Sequence, residues 1–173
     1  SANDSAPHVG VAWNVTLMAV KCLSDSGWGS TAAIIASLDF ATLNGATVCN
    51  YSLGGSGFSQ GMLDTIVAAS EANVILACAA GNTGSDNDQF AHYPSGYDVE
   101  NVISVAATDR NDNMANFSCY GLVSVDLGAP GVDIYSCEVG SDSSYAFHDG
   151  TSMATPHVAG VLALMRSLQP DWA

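Results

Sequence analysis

The chain has 173 residues, 48% of them hydrophobic, enough for one domain with its own core and too few for two. Seventeen Asp and Glu against 3 Lys and Arg leave a formal charge of −14, which argues against nucleic acid or an anionic membrane surface as partner because like charges repel. No apolar run approaches the roughly 18 residues of a membrane span, and so rich an apolar content is not that of a disordered chain.

In chain order, Val15 to Cys22 reads as a buried strand and Ser24 to Gly29 as a loop. Ser30 to Leu43 carries helical spacing through Ala33, Ile34, Ser37, Leu38 and Ala41, with Asn44-Gly45 as its stop. Thr47 to Ser52 is a second strand, running into Gly54-Gly55-Ser56-Gly57. Gln60 to Ala72 is a second helix, and Asn73 to Ala80 a third strand that ends in Gly81. Val102 to Thr108 and Val123 to Leu127 continue the strand content. Met153 to Leu168 is apolar all round, which predicts a buried central helix. Apolar strands alternating with helices predict an α/β fold: a mostly parallel sheet with helices on both faces, ligands binding at the carboxyl ends of the strands.

Five cysteines without a CxxC pair support neither a disulfide-built miniature fold nor a zinc site. Cys22, Cys49 and Cys78 sit inside apolar runs and read as small buried hydrophobes. Cys119 and Cys137 lie in polar, turn-rich sequence and are placed to pair if the protein is secreted, or to remain thiols.

The sharpest chemical signal is Gly150-Thr151-Ser152-Met153-Ala154-Thr155-Pro156-His157-Val158-Ala159-Gly160. It sets a serine at the first turn of an apolar helix, where orphan N–H groups and the helix dipole favour negative charge. An attacking serine that generates an oxyanion needs that setting. A simple helix cap accounts for Thr151 or Ser152 alone, but not for the whole string.

The string resembles the nucleophile motif of the subtilisin-like serine peptidases. Ser52-Leu53-Gly54-Gly55 is similar to that family's substrate-binding strand end, and Ala79-Ala80-Gly81-Asn82 to its oxyanion-hole motif. Tyr93-Pro94 and Ala129-Pro130-Gly131 fit as well, so the likeness covers nearly the whole chain, 1–173, as one partial peptidase domain. The resemblance implies a serine endopeptidase acting on polypeptides, with Ser152 as nucleophile and Asn82, with the backbone N–H of Ser152, as oxyanion donor. It implies that Gly27-Trp28-Gly29 and Ser52 to Gly55 are the two edges flanking an extended peptide, with Leu53 lining an apolar subsite. It places His92 near the floor of the pocket for the residue preceding the cut, although a solvated loop histidine fits the sequence nearly as well. Asp126, with the backbone around Ser95, Tyr97 and Val102, matches a calcium or sodium loop of the family, and equally a surface carboxylate. No organic cofactor is implied, and a secreted, extracellular setting is.

A serine needs a base, and the base an orienting carboxylate. In the family these come from Asp-Thr-Gly or Asp-Ser-Gly and from His-Gly-Thr-His, and neither motif occurs in this chain. His8 echoes the second, but Val9 to Asn14 is too short for a helix of several turns before the strand at Val15. His157 is read as structural, because its side chain leaves the helix in a different direction from that of Ser152, and His148 as a loop residue. The expectation is therefore a domain whose amino-terminal part is missing, leaving an apolar sheet edge and face exposed until a complementary segment or chain carrying Asp and His covers them. The rival expectation is an inert pseudopeptidase or peptide-binding module that retains the groove.

Overall fold

A computed structural model of the chain describes residues 9–169. His8 lies outside the described residues. Helix α1 spans Thr31–Leu43, β1 Val48–Tyr51, α2 Gln60–Glu71, β2 Ile75–Ala79, β3 Val102–Thr108 and β4 Leu127–Pro130. A hairpin of β5, Ile134–Cys137, and β6, Tyr145–His148, precedes α3, Thr151–Leu168. The hairpin was not foreseen; Tyr135 stacks on Tyr145 and tilts against Phe147 to hold it.

Strands β1 to β4 form one parallel sheet in sequence order. Its strands are buried on both faces, so alternate residues enter different cores. Leu76 and Cys78 of β2 join Leu38 of α1 and Met62 and Ile66 of α2 on one side. Ala77 of the same strand joins Val105, Ala107, Ala129 and, from α3, Ala154, Val158 and Leu162 on the other. Burial pushes the Cys78 thiol well above its ordinary value and Cys49 up to about 11, as expected of cysteines that serve as packing groups. Helices α1 and α2 start at serines, each hydroxyl accepting a first-turn amide: Ser30 from Ala33 and Ser59 from Met62.

Three expectations need correction. Residues 15–22 form no strand: a strand exists through its ladder, and this run has no partner among the described residues, leaving Leu17 81% exposed. Residues 122–124 form a turn and the strand starts only at Leu127, because Asp88 gathers the amides of Leu122, Val123 and Ser124 into a tight loop. Helix α3 is buried on one side only, with Val161, Leu164, Met165 and Leu168 exposed. No helix among the described residues is long and apolar enough to cross a membrane. Cys119 is a buried free thiol with Sγ 3.1 Å from Thr83 Oγ1, and it forms no disulfide with Cys137.

Candidate active site

The register of the sheet brings three segments to one place. Tyr51 pairs with Cys78 and Ala79 with Val105, so β1 and β2 end side by side, and the chain beyond each meets the start of α3. Ala80 is held by its amide on Val105 O at 3.0 Å and by Asn87 Nδ2 on its carbonyl at 2.9 Å. Gly81 turns the chain with φ +109° and accepts the Cys119 amide at 2.9 Å. Asn82 is thereby delivered to the mouth of α3.

Helix α3 has Gly150 at its N-cap position and no side chain of its own to cap it. Asn82, from another strand end, takes that role: its Oδ1 accepts Thr151 N at 2.8 Å and Thr151 Oγ1 at 3.0 Å. The same Thr151 hydroxyl accepts the Gly81 amide at 3.2 Å. With Oδ1 engaged twice, the Asn82 amide is fixed in orientation and Nδ2 is turned to the open side. A Cβ built on Gly150 would lie 3.5 Å from Asn82 Nδ2 and 3.6 Å from Ser152 N. Asn82 Nδ2, Ser152 N and, at 3.5 Å, Met153 Sδ thus border the small space that the absent side chain of Gly150 leaves, so two nitrogens that carry N–H groups stand beside one position.

Ser152 is tied to the end of β1 by two reciprocal bonds. Ser52 Oγ donates to Ser152 O at 2.8 Å, and Ser152 Oγ donates to Ser52 O at 3.3 Å. The sequence assignments of Ser52, Ala79, Ala80, Gly81, Asn82 and Ser152 thus fall together in one cluster. Thr151 and Gly150 were missed as working residues. Both stand in the motif string, but Thr151 was weighed only as a cap, and neither it nor Ser152 caps the helix.

Gly27, Trp28 and Gly29 face Ser52, Leu53, Gly54 and Gly55 across a pocket of about 440 Å³, with Ile34, Met62, Tyr93 and Tyr97 also lining it. A Cβ on Gly29 would meet Cys22 O at 2.5 Å, so glycine is required there. Trp28 is 81% exposed and forms an apolar lip.

None of the three described histidines serves Ser152. His157 Nδ1 bonds to Met153 O at 2.9 Å, one turn back along α3. His148 Nε2 bonds to Glu138, and that imidazole holds the Glu138 carboxyl below its usual range. His92 Nδ1 lies 3.1 Å from Ser95 Oγ, and burial lowers its pKa.

The four suggested metal ligands keep protein partners. Asp126 Oδ2 accepts the Ser104 amide at 2.7 Å, Ser95 Oγ donates to His92 O at 3.0 Å, Tyr97 O accepts Val99 N at 3.0 Å, and Val102 opens β3. No cluster of three or more His, Cys, Asp or Glu suited to a metal occurs among the described residues.

A parallel sheet whose strand ends present an oriented asparagine and a helix-mouth serine defines the class of serine peptidases built on an α/β scaffold. The sequence matches the subtilase family profile over residues 1–173, and the chain belongs to that family. It is 43% identical to alkaline elastase YaB of Bacillus sp. (strain YaB) and 42% identical to subtilisin Savinase of Lederbergia lenta, each over 99% of its own length. It spans 43% and 61% of those two proteins, respectively. Its fold is that of a cold adapted subtilisin-like serine proteinase, with a TM-score of 0.83 and 38% identity over 92% of this chain and 56% of that one. A protease of Pseudoalteromonas arctica PAMC 21717 gives 0.85 and 32% over 95% of this chain and 54% of the other.

Proposed function

We propose that the chain is the nucleophile-bearing portion of a secreted serine endopeptidase. Ser152 Oγ attacks the carbonyl carbon of a peptide bond and its proton passes to an imidazole on another segment. The carbonyl oxygen, now anionic, takes hydrogen bonds from Asn82 Nδ2 and Ser152 N. Collapse breaks the C–N bond, the imidazolium protonates the leaving amine, and water frees the acyl group by the same route. The observation that carries this reading is the convergence of Asn82 Nδ2 and Ser152 N on the space beside Gly150.

We take the base from another segment, since among the described residues the rings of His92, His148 and His157 are all engaged away from Ser152. A cavity and an unpaired strand edge support a place for the segment that brings it. A cavity of about 1010 Å³ separates Val15 to Val20 from β1, with Pro156, Ala159, Gly160 and Ala163 of α3 among its other walls. The edge of β1 facing away from β2 is one of the two unpaired edges of the sheet among the described residues, the other being that of β4. An extended segment seated there would pair with β1 and cover apolar side chains from both walls.

A serine-directed fluorophosphonate tests the reading. Residues 1–173 alone stay unlabelled, and addition of a segment carrying the Asp and His motifs gives stoichiometric labelling at Ser152. Labelling of the isolated chain would overturn the externally supplied base; no labelling in either state would leave the inert peptide-binding module.

Calcium is proposed from the family resemblance. Asp126 offers its second carboxylate oxygen, and Ser95, Tyr97 and Val102 could add backbone carbonyls, which suits a hard cation that collects oxygens. None of the steps above passes through it.

A further inference from the structure

The cavity between residues 15–20 and β1 is walled largely by apolar side chains, Val15, Val20, Val48, Ala159 and Ala163 among them. No Asp, Glu, Lys or His of the described residues lines it, and Arg166 of α3 brings the one charge. Arg166 is 9% exposed. Its Nη2 donates to Asn73 O and to Asn73 Oδ1, each at 2.7 Å, which pins the guanidinium to the turn ahead of β2. Nε is closed off from solvent without an acceptor. Nη1 also lacks an acceptor among the described residues, and it stays accessible. The other two basic side chains reach surface carboxylates: Lys21 is 2.8 Å from Asp25 and Arg110 is 3.8 Å from Asp133. In a chain with 17 acidic residues, the buried cation is the one that forms no ion pair among the described residues.

Arginine is not deprotonated in proteins, so this charge cannot be shed on burial. A guanidinium taken out of water is tolerated where an anion and hydrogen bonds replace that water, and Asn73 serves one nitrogen only. Solvent reaches Nη1 only while the cavity stays open. A purely apolar filling would strand the charge, whereas a carboxylate oxygen against Nη1 turns the same burial into a charge-assisted hydrogen bond. The place of the guanidinium says where on the filling that carboxylate sits. Asn73 precedes β2, so Arg166 lies at the amino ends of the strands, away from Ser152. The two residues stand at opposite ends of α3, separated by roughly 21 Å of helix. Roughly six residues of extended chain cover that distance. The acid therefore belongs at one end of the arriving segment, and whatever serves Ser152 at the other.

We propose that the cavity beside β1 takes an extended segment whose Asp or Glu, at the end remote from Ser152, pairs with the Arg166 guanidinium. The proposal rests on the docking place read above, and its test contains no catalytic group. Acetylated octapeptide amides of alternating Val and Thr are titrated into residues 1–173 by isothermal calorimetry. One carries Glu at its second residue, one Gln there, and one Glu at its seventh. Seated parallel to β1, as every neighbouring pair in the sheet is, the first peptide brings its carboxylate to Arg166. It binds at least about tenfold tighter than the other two, although the formal charge of −14 repels it at long range. Arg166→Met makes the three bind equally. Asn73→Asp supplies the same guanidinium with an internal carboxylate of unchanged shape, and it cuts the advantage to about threefold or less with the fold retained by circular dichroism. Equal binding of the first two peptides overturns the acidic partner and leaves the cavity as the place of the segment. An equal gain from Glu at either end is a general charge effect and overturns it too. Asp171 lies beyond the described residues; an advantage that emerges only in Asp171→Asn means that the carboxylate comes from this chain, and overturns the proposal. Binding of none of the peptides overturns the docking place together with its acid.

Discussion

Replacing Thr151 by valine removes one hydroxyl and keeps the shape of a fully buried side chain. The hydroxyl does two jobs, accepting the Gly81 amide at 3.2 Å and donating to Asn82 Oδ1 at 3.0 Å. Valine does neither. The Gly81 N–H is left buried without an acceptor, at about 1–3 kcal/mol. Asn82 Oδ1 keeps Thr151 N at 2.8 Å, so the lost donor adds only about 1 kcal/mol more. A destabilisation of roughly 2–4 kcal/mol lowers Tm by about 4–16 °C in a chain of this size, measurable by calorimetry. The Asn82 amide, now held by one bond, swings more freely. Removing such a donor outright costs roughly 10²–10³ in kcat, and loosening it should cost less, roughly tenfold. Substrate binding precedes the oxyanion, so KM stays within a factor of two or so. The assay is steady-state hydrolysis by the complemented protein below its Tm. A rise in KM at constant kcat would refute the positioning role of Thr151.

Gly150→Ala places a methyl in the space flanked by Asn82 Nδ2 and Ser152 N, on a backbone with φ +155°, so kcat/KM is expected to fall by at least roughly 10²-fold, with circular dichroism showing a retained fold. Because burial lowers the pKa of His92, its neutral form favours the folded state; that stability is present above the unfolded value near 6.5 and is lost as pH falls toward the lower folded value. Urea midpoints should therefore drop between pH 7 and pH 5 more in the parent protein than in His92→Ser. If the Asp126 site holds calcium, chelation lowers Tm, and Asp126→Asn abolishes the difference between calcium and EGTA.

What the sequence made legible follows from how local each signal is. The helices α1 and α2 and strands β1 to β3 were readable because caps and apolar runs are written within a few residues, as at Ser30 and Ser59. Strand content at 15–22 was misread because a strand depends on its neighbour, and no pairing partner for that run is present among the described residues. The loop at 122–126 was misread because the residue that shapes it, Asp88, is distant in sequence and binds through its carboxylate. The site divides the same way. Ser152 and Asn82 stand in strings that only a resemblance could connect, since they are brought together by sheet register across 70 residues of chain. Their dependence on Thr151 was invisible, because a threonine at a helix start reads as a cap until its hydroxyl is seen facing another strand. His92 was read either as near a pocket floor or as a solvated loop histidine; it is partly buried, and its position between Gly54 and Gly81 is a three-segment contact that no string encodes.

In the proposed reading the oxyanion donors are assembled without the base, and this separation has a physical origin. Asn82 and Thr151 are held by the β2–β3 register and by α3 packed across the sheet, while Ser152 is also tied to Ser52 beyond the end of β1; none of these bonds uses the unpaired edge of the strand itself. Val11 packs on α3 where Gly160 lacks a side chain, a Cβ there falling 2.7 Å from Val11 Cβ, so residues 11–22 stay near the cavity without closing it. Filling that cavity is favoured by apolar burial at roughly 25 cal/mol per Å², a term indifferent to whether the arriving segment carries an imidazole. A complementing segment with its histidine changed to alanine should therefore bind as tightly as the parent, by isothermal titration, and restore none of the fluorophosphonate labelling. If the loss of the imidazole weakens binding tenfold or more, the base contributes to assembly, and fold completion and chemistry are not the independent events that the geometry of β1, β2 and α3 implies.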